Sequence, residues 1–215
     1  EFLQRDREAA GYVAAACAYA GVERVVYLSG LVPPGRLSDH LRSRLEVEEI
    51  LLAGAVPTTV LRAAMVIGAG STSFELMRRV SERLPLTPVP VWMQRDIQPI
   101  AVQDVVHVLL RALDGSPANR AYDVGGDEVL TYRELLARFA TVAGLDRLQL
   151  LVPLAPAPLV GEAVALLSGV PRATVRALVR SLSHDMVCTE HDVRHELADG
   201  HEFLSLDEAI RRSLA

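Results

Sequence analysis

The stretch VERVVYLSG, residues 22–30, decides the fold class. Its residues Val25 to Leu28 form a continuous apolar run, which is typical of a parallel strand buried on both faces. The preceding stretch FLQRDREAAGYVAAACAYAG has a helical pattern that ends at Gly21, a residue suited to the left-handed stop of a helix. The pattern therefore predicts a helix that leads directly into a buried strand.

The same alternation continues along the chain. A loop, GLVPPGR, leads to a predicted helix from Ser38 to about Ala53, and PTTVLRAAMVIG at residues 57–68 is predicted as the next buried strand. Capping side chains mark later helix starts. They are Ser71 or Thr72, Thr131 with Glu134, and Ser205 with Glu208. Strands that alternate with helices indicate an α/β fold with a mostly parallel sheet.

The composition excludes several classes of function. Half of the 215 residues are apolar and 23% are charged, as in a globular protein, and the net charge of −5 argues against nucleic-acid binding. All basic residues are arginine, which excludes a Schiff-base lysine and a phosphate-loop lysine. Cys17 and Cys188 make no disulfide framework, and no secretory pattern opens the sequence. We expect a cytoplasmic bacterial protein.

One apolar segment imitates a membrane span. LQLLVPLAPAPLVGEAVALLSGV, residues 148–170, is about long enough to cross a bilayer. Its prolines and glycines, and Glu162 near its middle, argue against a span. We predict a buried or cleft-lining segment.

A phosphate-binding glycine loop is expected at the carboxyl edge of a parallel sheet. The best candidate is VIGAGSTS, where Gly68 and Gly70 have the G-x-G spacing. Ser73 replaces the third glycine, and the segment PVPVW stands where an acid should bind the ribose. We interpret this stretch as a strand-to-helix turn that lines a cleft.

A group of polar residues that could bind a metal ion lies near the carboxyl end of the chain. They are His184, Asp185, Cys188, His191, Asp192 and His195. On a single helix they could bind zinc. However, DMVCT predicts a short strand, and a helix from Thr189 or Glu190 to Gly200 would separate these groups, so we predict no metal site.

Two charged residues stand in otherwise apolar segments. Asp104 is predicted at a helix start, where a carboxylate interacts favourably with the helix dipole, and we interpret it as structural. Arg62 lies inside an apolar strand and should need a buried partner or a ligand phosphate.

Five segments follow one another in a recognisable order. They are RDREAA, VERVVYLSG, LSDHLRSRLEVEEILLAGAVPTTVLRAAMVIGAGSTSFELM, IQPIAVQDV and YDVGGDEVLTYREL. In this order they resemble the atypical short-chain dehydrogenase/reductases, and most of all the NmrA-like NAD(P)-binding proteins, which include relatives of an accessory subunit of respiratory complex I. The resemblance implies a partial Rossmann-type parallel sheet in residues 1–125. Residues 126–215 would form a smaller, mostly helical substrate or cap region.

The resemblance also bears on the missing glycine loop. Members of the family begin with a strand, a Gly-x-x-Gly-x-x-Gly turn and a helix before anything like RDREAA. The resemblance therefore implies that the sequence lacks an N-terminal half of roughly 80–100 residues on the Rossmann plan, or is a truncated fragment. A preceding segment or a partner chain would then complete the site.

The resemblance implies roles for individual residues. Ser29 falls on the position of a catalytic serine, and His40 and Arg44 replace the tyrosine and lysine of the Tyr-x-x-x-Lys pair. The implied cofactor contacts are Ser29, Gly30, Arg44 and Ala64. The candidate substrate-pocket residues are Phe74, Trp92 and Met93, for which core packing is an open alternative.

His40 and Arg44 share a helix face because they stand four residues apart. An imidazole, whose ordinary pKa is about 6.5, can exchange a proton, and a guanidinium can hold ribose or phosphate oxygens. One hypothesis is therefore an NAD(P)-dependent oxidoreductase that acts on a small carbonyl or quinone-like substrate. The alternative is a non-catalytic NAD(P)-sensing or scaffolding protein, or an inactive fragment.

Overall fold

The computed structural model describes residues 2–35, 37–115, 118–153 and 155–215. The helices are α1 (Phe2–Tyr19), α2 (Asp39–Leu52), α3 (Thr72–Arg83), α4 (Val102–Asp114), α5 (Tyr132–Val142), α6 (Ala157–Ser168), α7 (Arg172–Ser181), α8 (Asp192–Glu196) and α9 (Leu206–Leu214). The strands are β1 (Val25–Gly30), β2 (Thr58–Ala63), β3 (Val66–Ile67), β4 (Leu86–Pro90), β5 (Asp96–Ile97), β6 (Ile100–Ala101), β7 (Arg120–Val124), β8 (Leu130–Thr131) and β9 (Leu148–Val152). A 3-10 turn spans Val91–Met93.

The chain forms two compact units from interleaved segments. The first contains Glu1–Ala64, Gln103–Gly125 and Cys188–Glu202, and the second contains Met65–Val102, Gly126–Val187 and Phe203–Ala215. Both units draw on residues from each side of position 125. The functional division at residue 125 therefore stays a prediction.

A three-stranded parallel sheet in the order β1-β2-β7 forms the centre of the first unit. Its parallel strands and flanking helices confirm the predicted α/β class. β2 is buried along most of its length, as predicted for PTTVLRAAMVIG, although that stretch divides into β2 and β3. The predicted burial of Val25 to Leu28 on both faces is wrong, because these residues of β1 are half-buried. Within the described part of the chain, β1 pairs on one side only, with β2.

Local signals for helix ends are confirmed by the backbone. Ser38 is the N-cap of α2, and its hydroxyl accepts a hydrogen bond from the Leu41 amide at 3.3 Å. Thr131 and Glu134 form the predicted capping box of α5, and the Ser205 hydroxyl caps α9. Gly21 has a φ of 66°, as expected for a left-handed helix stop. These are contacts between close neighbours in sequence, which local patterns specify well.

The apolar segment 148–170 lies in the second unit as β9 followed by α6. The prediction that it is buried or lines a cleft is wrong for several of its leucines. Leu148 is 75% exposed, Leu159 66% and Leu166 83%. In the described part of the chain, no helix is long and apolar enough to cross a membrane.

The segment from Asp185 to Gly200 differs from its prediction. DMVCT is not a strand, since Met186 makes only an isolated bridge with Ile97. The following helix is shorter than predicted, because α8 covers only Asp192–Glu196. Gly200 nevertheless takes the left-handed conformation, with a φ of 73°.

Gly126 sits where a side chain would collide with the backbone. An added Cβ would lie 2.3 Å from the carbonyl oxygen of Pro99, which also accepts a hydrogen bond from the Gly126 amide at 3.1 Å. We expect Gly126→Ala to lower the free energy of unfolding by about 2–3 kcal/mol, because main-chain atoms must shift. Urea denaturation measures the change.

Gly11 provides the matched control. It lies in α1, and no atom lies within 4 Å of an added Cβ. Gly11→Ala should therefore raise the stability of the helix by about 0.5–1 kcal/mol. Equal effects of the two substitutions would show that the close approach of Gly126 to Pro99 has no energetic consequence.

Candidate functional site

The hydroxyl of Ser29, in the first unit, is buried without a hydrogen-bond partner among the described residues. It is the penultimate residue of β1 and is only 6% exposed. Among the described residues, none offers a hydrogen-bond partner to the buried Ser29 Oγ. Leaving a buried polar group without a partner costs about 1–3 kcal/mol. The hydroxyl therefore has hydrogen-bonding capacity that the described residues do not use.

Arg44 of α2 reaches the same end of β1. Its Nη1 donates a hydrogen bond to the carbonyl oxygen of Leu28 at 3.2 Å, so the guanidinium is anchored beside the residue that precedes Ser29. A guanidinium has five N–H donors, and one bond to Leu28 leaves capacity for ligand oxygens. The structure thus brings two of the predicted site residues to one point.

His40 lies on the same face of α2, one turn before Arg44. Its side chain is half-buried. Burial lowers the pKa of His40 from its ordinary value of 6.5, the positive charge of Arg44 lowers it further, and Asp6 opposes both effects. The imidazole is therefore mostly neutral at pH 7 and can accept a proton there.

Asp6 is a site residue that the sequence analysis did not identify. Its carboxylate accepts a hydrogen bond from the Ser43 hydroxyl of α2, and its charge acts on His40. A second link between these helices joins Arg7 and Glu46 at 3.0 Å. Helix α1 thus fixes the position of the helix that carries His40 and Arg44. The only sequence signal was that Asp6 belongs to the segment RDREAA.

Gly30 and Ala64 lie beside Ser29 at the carboxyl ends of two neighbouring strands. Gly30 ends β1 and Ala64 directly follows β2, the neighbouring parallel strand. Directly after β1, the Leu31 amide donates a hydrogen bond to the Ala63 carbonyl oxygen at 3.1 Å. The predicted cofactor contacts therefore lie together at the carboxyl ends of parallel strands, where open α/β sheets bind their ligands.

Arg62 has protein partners, which confirms one of the two predicted alternatives. Its Nε lies 3.1 Å from both carboxylate oxygens of Glu48, and its Nη1 lies 3.9 Å from the Asp123 carboxylate. Glu48 is 1% exposed and Asp123 is 5% exposed. The hydrogen bonds to Glu48 raise the pKa of Arg62 and outweigh its desolvation. Arg62 pairs in register with Ser29, so a fixed charge cluster borders the site.

Asp104 is buried in the first turn of α4, in agreement with a structural role. The His201 ring nitrogen Nε2 lies 2.8 Å from its carboxylate, and the His107 ring stacks on His201 with centroids 3.8 Å apart. Neither contact was predicted, because His201 stands 97 residues from Asp104.

The candidate substrate-pocket residues lie in the second unit. Phe74 is fully buried and packs edge-on against Phe139, with ring centroids 5.8 Å apart. This placement favours the alternative of core packing for Phe74. Trp92 is half-buried and donates from its indole nitrogen to the Ala155 carbonyl oxygen at 2.8 Å. Met93 follows it in the 3-10 turn, and the pocket role of both residues stays a prediction.

The stretch VIGAGSTS is a strand-to-helix turn between β3 and α3, as predicted. An added Cβ at Gly68 would lie 2.7 Å from the Val102 Cβ, so packing alone accounts for this glycine. Gly70 has a φ of 80°, which favours glycine in the turn. Among the residues that the structure describes, no group of three or more His, Cys, Asp or Glu side chains is arranged to hold a metal ion.

Comparison with known proteins gives one relative by sequence. No family model matches the chain. A stretch of 123 residues is 28% identical to NADH dehydrogenase [ubiquinone] 1 alpha subcomplex subunit 9, mitochondrial, of Arabidopsis thaliana. The match covers 54% of this chain and 30% of that protein, so it spans less than a third of the relative's length.

Solved structures resemble the fold over almost the entire chain. Triphenylmethane reductase of Citrobacter sp. superposes with a TM-score of 0.70 and 17% identity, covering 95% of this chain and 69% of that one. The dTDP-4-dehydrorhamnose reductase of Bacillus anthracis, in complex with NADP, has a TM-score of 0.68 and 16% identity, with coverage of 95% and 69%. At these identities the likeness concerns the fold alone, and the chain has an α/β fold of the Rossmann-like kind.

Proposed function

We propose that this chain belongs to an NAD(P)-binding protein of the atypical short-chain dehydrogenase/reductase kind, in its NmrA-like branch. The single observation that carries the proposal is the buried Ser29 hydroxyl, which has no partner among the described residues. It lies at the carboxyl edge of a parallel sheet, with Arg44 anchored beside it. The structural neighbours add support, since one was solved with NADP bound.

The residues of this edge fit a nicotinamide nucleotide and a small oxygen-bearing substrate. A bound nicotinamide would supply the hydride acceptor or donor. The Ser29 hydroxyl would donate a hydrogen bond to the substrate oxygen, and Arg44 would hold oxygens of the cofactor ribose. His40 would exchange the proton of the substrate hydroxyl through its ring nitrogen. The name of the plant relative contains ubiquinone, which supports a quinone-like substrate beside a small carbonyl.

A second candidate is an NAD(P)-sensing or scaffolding protein without turnover. Burial and Arg44 lower the pKa of His40, which disfavours the imidazolium form that carbonyl reduction needs. A neutral imidazole is a weaker proton source than the imidazolium form. Nucleotide binding is common to both candidates, whereas turnover that depends on His40 belongs to the first alone.

Calorimetric titration of the 215-residue chain with NADH and NADPH tests the proposal. We expect binding below millimolar nucleotide, and we expect Arg44→Gln to weaken it about tenfold or more, because a charge-assisted hydrogen bond contributes about 1.5–3 kcal/mol. Arg42→Gln is the matched control, since Arg42 is an exposed arginine of the same helix that pairs with Asp39. Its affinity should stay within about twofold of the parent. No binding at millimolar nucleotide, or equal losses in the two variants, would contradict the proposal.

A further inference from the structure

Helices α6 and α7 form a closely packed hairpin in the second unit. Gly161 of α6 lies against Arg176 of α7, since an added Cβ would lie 3.7 Å from the Arg176 Cγ. Ala165, Val175 and Val179 form the buried contact between the helices. These contacts show which face of each helix is buried in the hairpin. The opposite face of each helix then points away from the hairpin contact.

The outer face of α6 is apolar. Leu159, Ala163 and Leu166 are exposed, and their spacing of four and three residues places them on one side of the helix. The side chains of Leu159 and Leu166 are 66% and 83% exposed. Exposed leucines aligned along one helix face indicate an interaction surface more strongly than isolated ones do.

The neighbouring helix carries a row of positive charge. Arg172, Arg176 and Arg180 recur every four residues along α7 and are exposed. Between residues 157 and 183 these three arginines stand against a single acidic residue, Glu162. The hairpin is therefore locally positive, although the net charge of the chain is −5.

Glu162 places the arginine row beside the apolar stripe. It stands three residues after Leu159 and four before Leu166, so it borders the stripe on α6. Its carboxylate accepts a hydrogen bond from the Arg176 Nε at 2.8 Å and lies 3.5 Å from the Arg172 Nε. The leucines and the arginines thus form one continuous amphipathic surface.

We propose that the α6–α7 hairpin is a docking surface for an anionic lipid membrane. The stripe of Leu159, Ala163 and Leu166 enters the boundary between headgroups and acyl chains, and the arginine row contacts lipid phosphates. A partner that is apolar throughout would leave three arginines with a single carboxylate, Glu162, whereas an anionic bilayer matches both parts of the surface. With 12 residues, α6 lies in the interface and does not cross the bilayer.

Co-sedimentation with lipid vesicles tests this inference. The probes are vesicles of phosphatidylcholine alone and vesicles in which one third of the lipid is phosphatidylglycerol. We expect the chain to bind the anionic vesicles at least about tenfold more tightly than the neutral ones, and added salt should weaken this binding. Leu159→Ser with Leu166→Ser should weaken it about tenfold or more. Arg172→Gln with Arg180→Gln should weaken it about fivefold for each arginine removed.

A control removes two exposed apolar side chains from one face of another helix. Val106 and Leu110 of α4 are 48% and 55% exposed, and replacing both with Ser should leave vesicle binding unchanged. Absent binding, equal binding to both kinds of vesicle, or an equal loss in this control would overturn the inference. So would a lipid-free dimer that dissociates on Leu159→Ser with Leu166→Ser, because the surface would then bind a second copy of the chain. Analytical ultracentrifugation detects that dimer.

Discussion

Replacing Arg62 with Met is expected to lower the free energy of unfolding by about 3–5 kcal/mol, because it leaves a buried carboxylate without its counter-charge. Glu48 is 1% exposed, and its carboxylate receives hydrogen bonds from the Arg62 guanidinium. Asp123 is also buried and lies 3.9 Å from the same guanidinium. Urea denaturation followed by circular dichroism measures the loss. The midpoint should fall while the slope of the transition stays the same.

Two further variants separate charge burial from the loss of a large side chain. Arg7→Met removes an arginine that is 63% exposed and lies 3.0 Å from Glu46, and should change stability by no more than about 1 kcal/mol. Arg62→Met combined with Glu48→Leu should recover part of the loss, because no carboxylate then remains buried at position 48. If Arg62→Met costs no more than Arg7→Met, the buried pair does not stabilise this fold.

The strands show what an apolar run can and cannot predict. Val25 to Leu28 and the run in β2 have the same local character, and both were correctly assigned as parallel strands. Their burial differs because β2 lies between two strands, whereas β1 pairs only with β2 in the described part of the chain. The number of neighbours is a property of the assembled sheet, so a local pattern cannot predict it.

The apolar segment 148–170 shows the same limit for a helix. Burial in a helix is predicted from alternation between apolar and polar residues, and α6 is apolar nearly all round, with Glu162 as its single charge. The sequence therefore could not indicate that Gly161 and Ala165 face inward while Leu159 and Leu166 face outward.

The placement of the candidate site residues was predictable where they are close in sequence. His40 and Arg44 share a helix that directly follows the strand of Ser29, so the contact of Arg44 with Leu28 near the carboxyl end of β1 follows from the order of elements. Asp6 was missed because it stands 37 residues before Ser43, its hydrogen-bond partner. Contacts at that distance depend on helix packing, which a single sequence does not specify.

His40→Ala is expected to lower any dehydrogenase or reductase turnover by about 10²–10⁴-fold, the usual contribution of a positioned acid–base group. Nucleotide affinity should stay nearly unchanged, because the proposed cofactor contacts are other residues. Turnover with a panel of small carbonyl and quinone-like substrates, measured by NAD(P)H absorbance, gives the result. His107→Ala is the control, since His107 also lies in the first unit and is partly exposed but stacks on His201.

The pH dependence of turnover shows whether His40 accepts or donates the proton. Burial and the positive charge of Arg44 lower the pKa of His40 from 6.5, so its base form is present at neutral pH. Oxidation of an alcohol, which needs that base, should rise with pH through the lowered pKa and be level above it. Carbonyl reduction, which needs the imidazolium, should fall over the same range. Arg44→Gln removes one cause of the lowering and should move both midpoints to higher pH. If the chain binds nucleotide but no turnover depends on His40, the result favours the NAD(P)-sensing or scaffolding protein over the oxidoreductase. Nucleotide sensing requires no proton transfer by the imidazole.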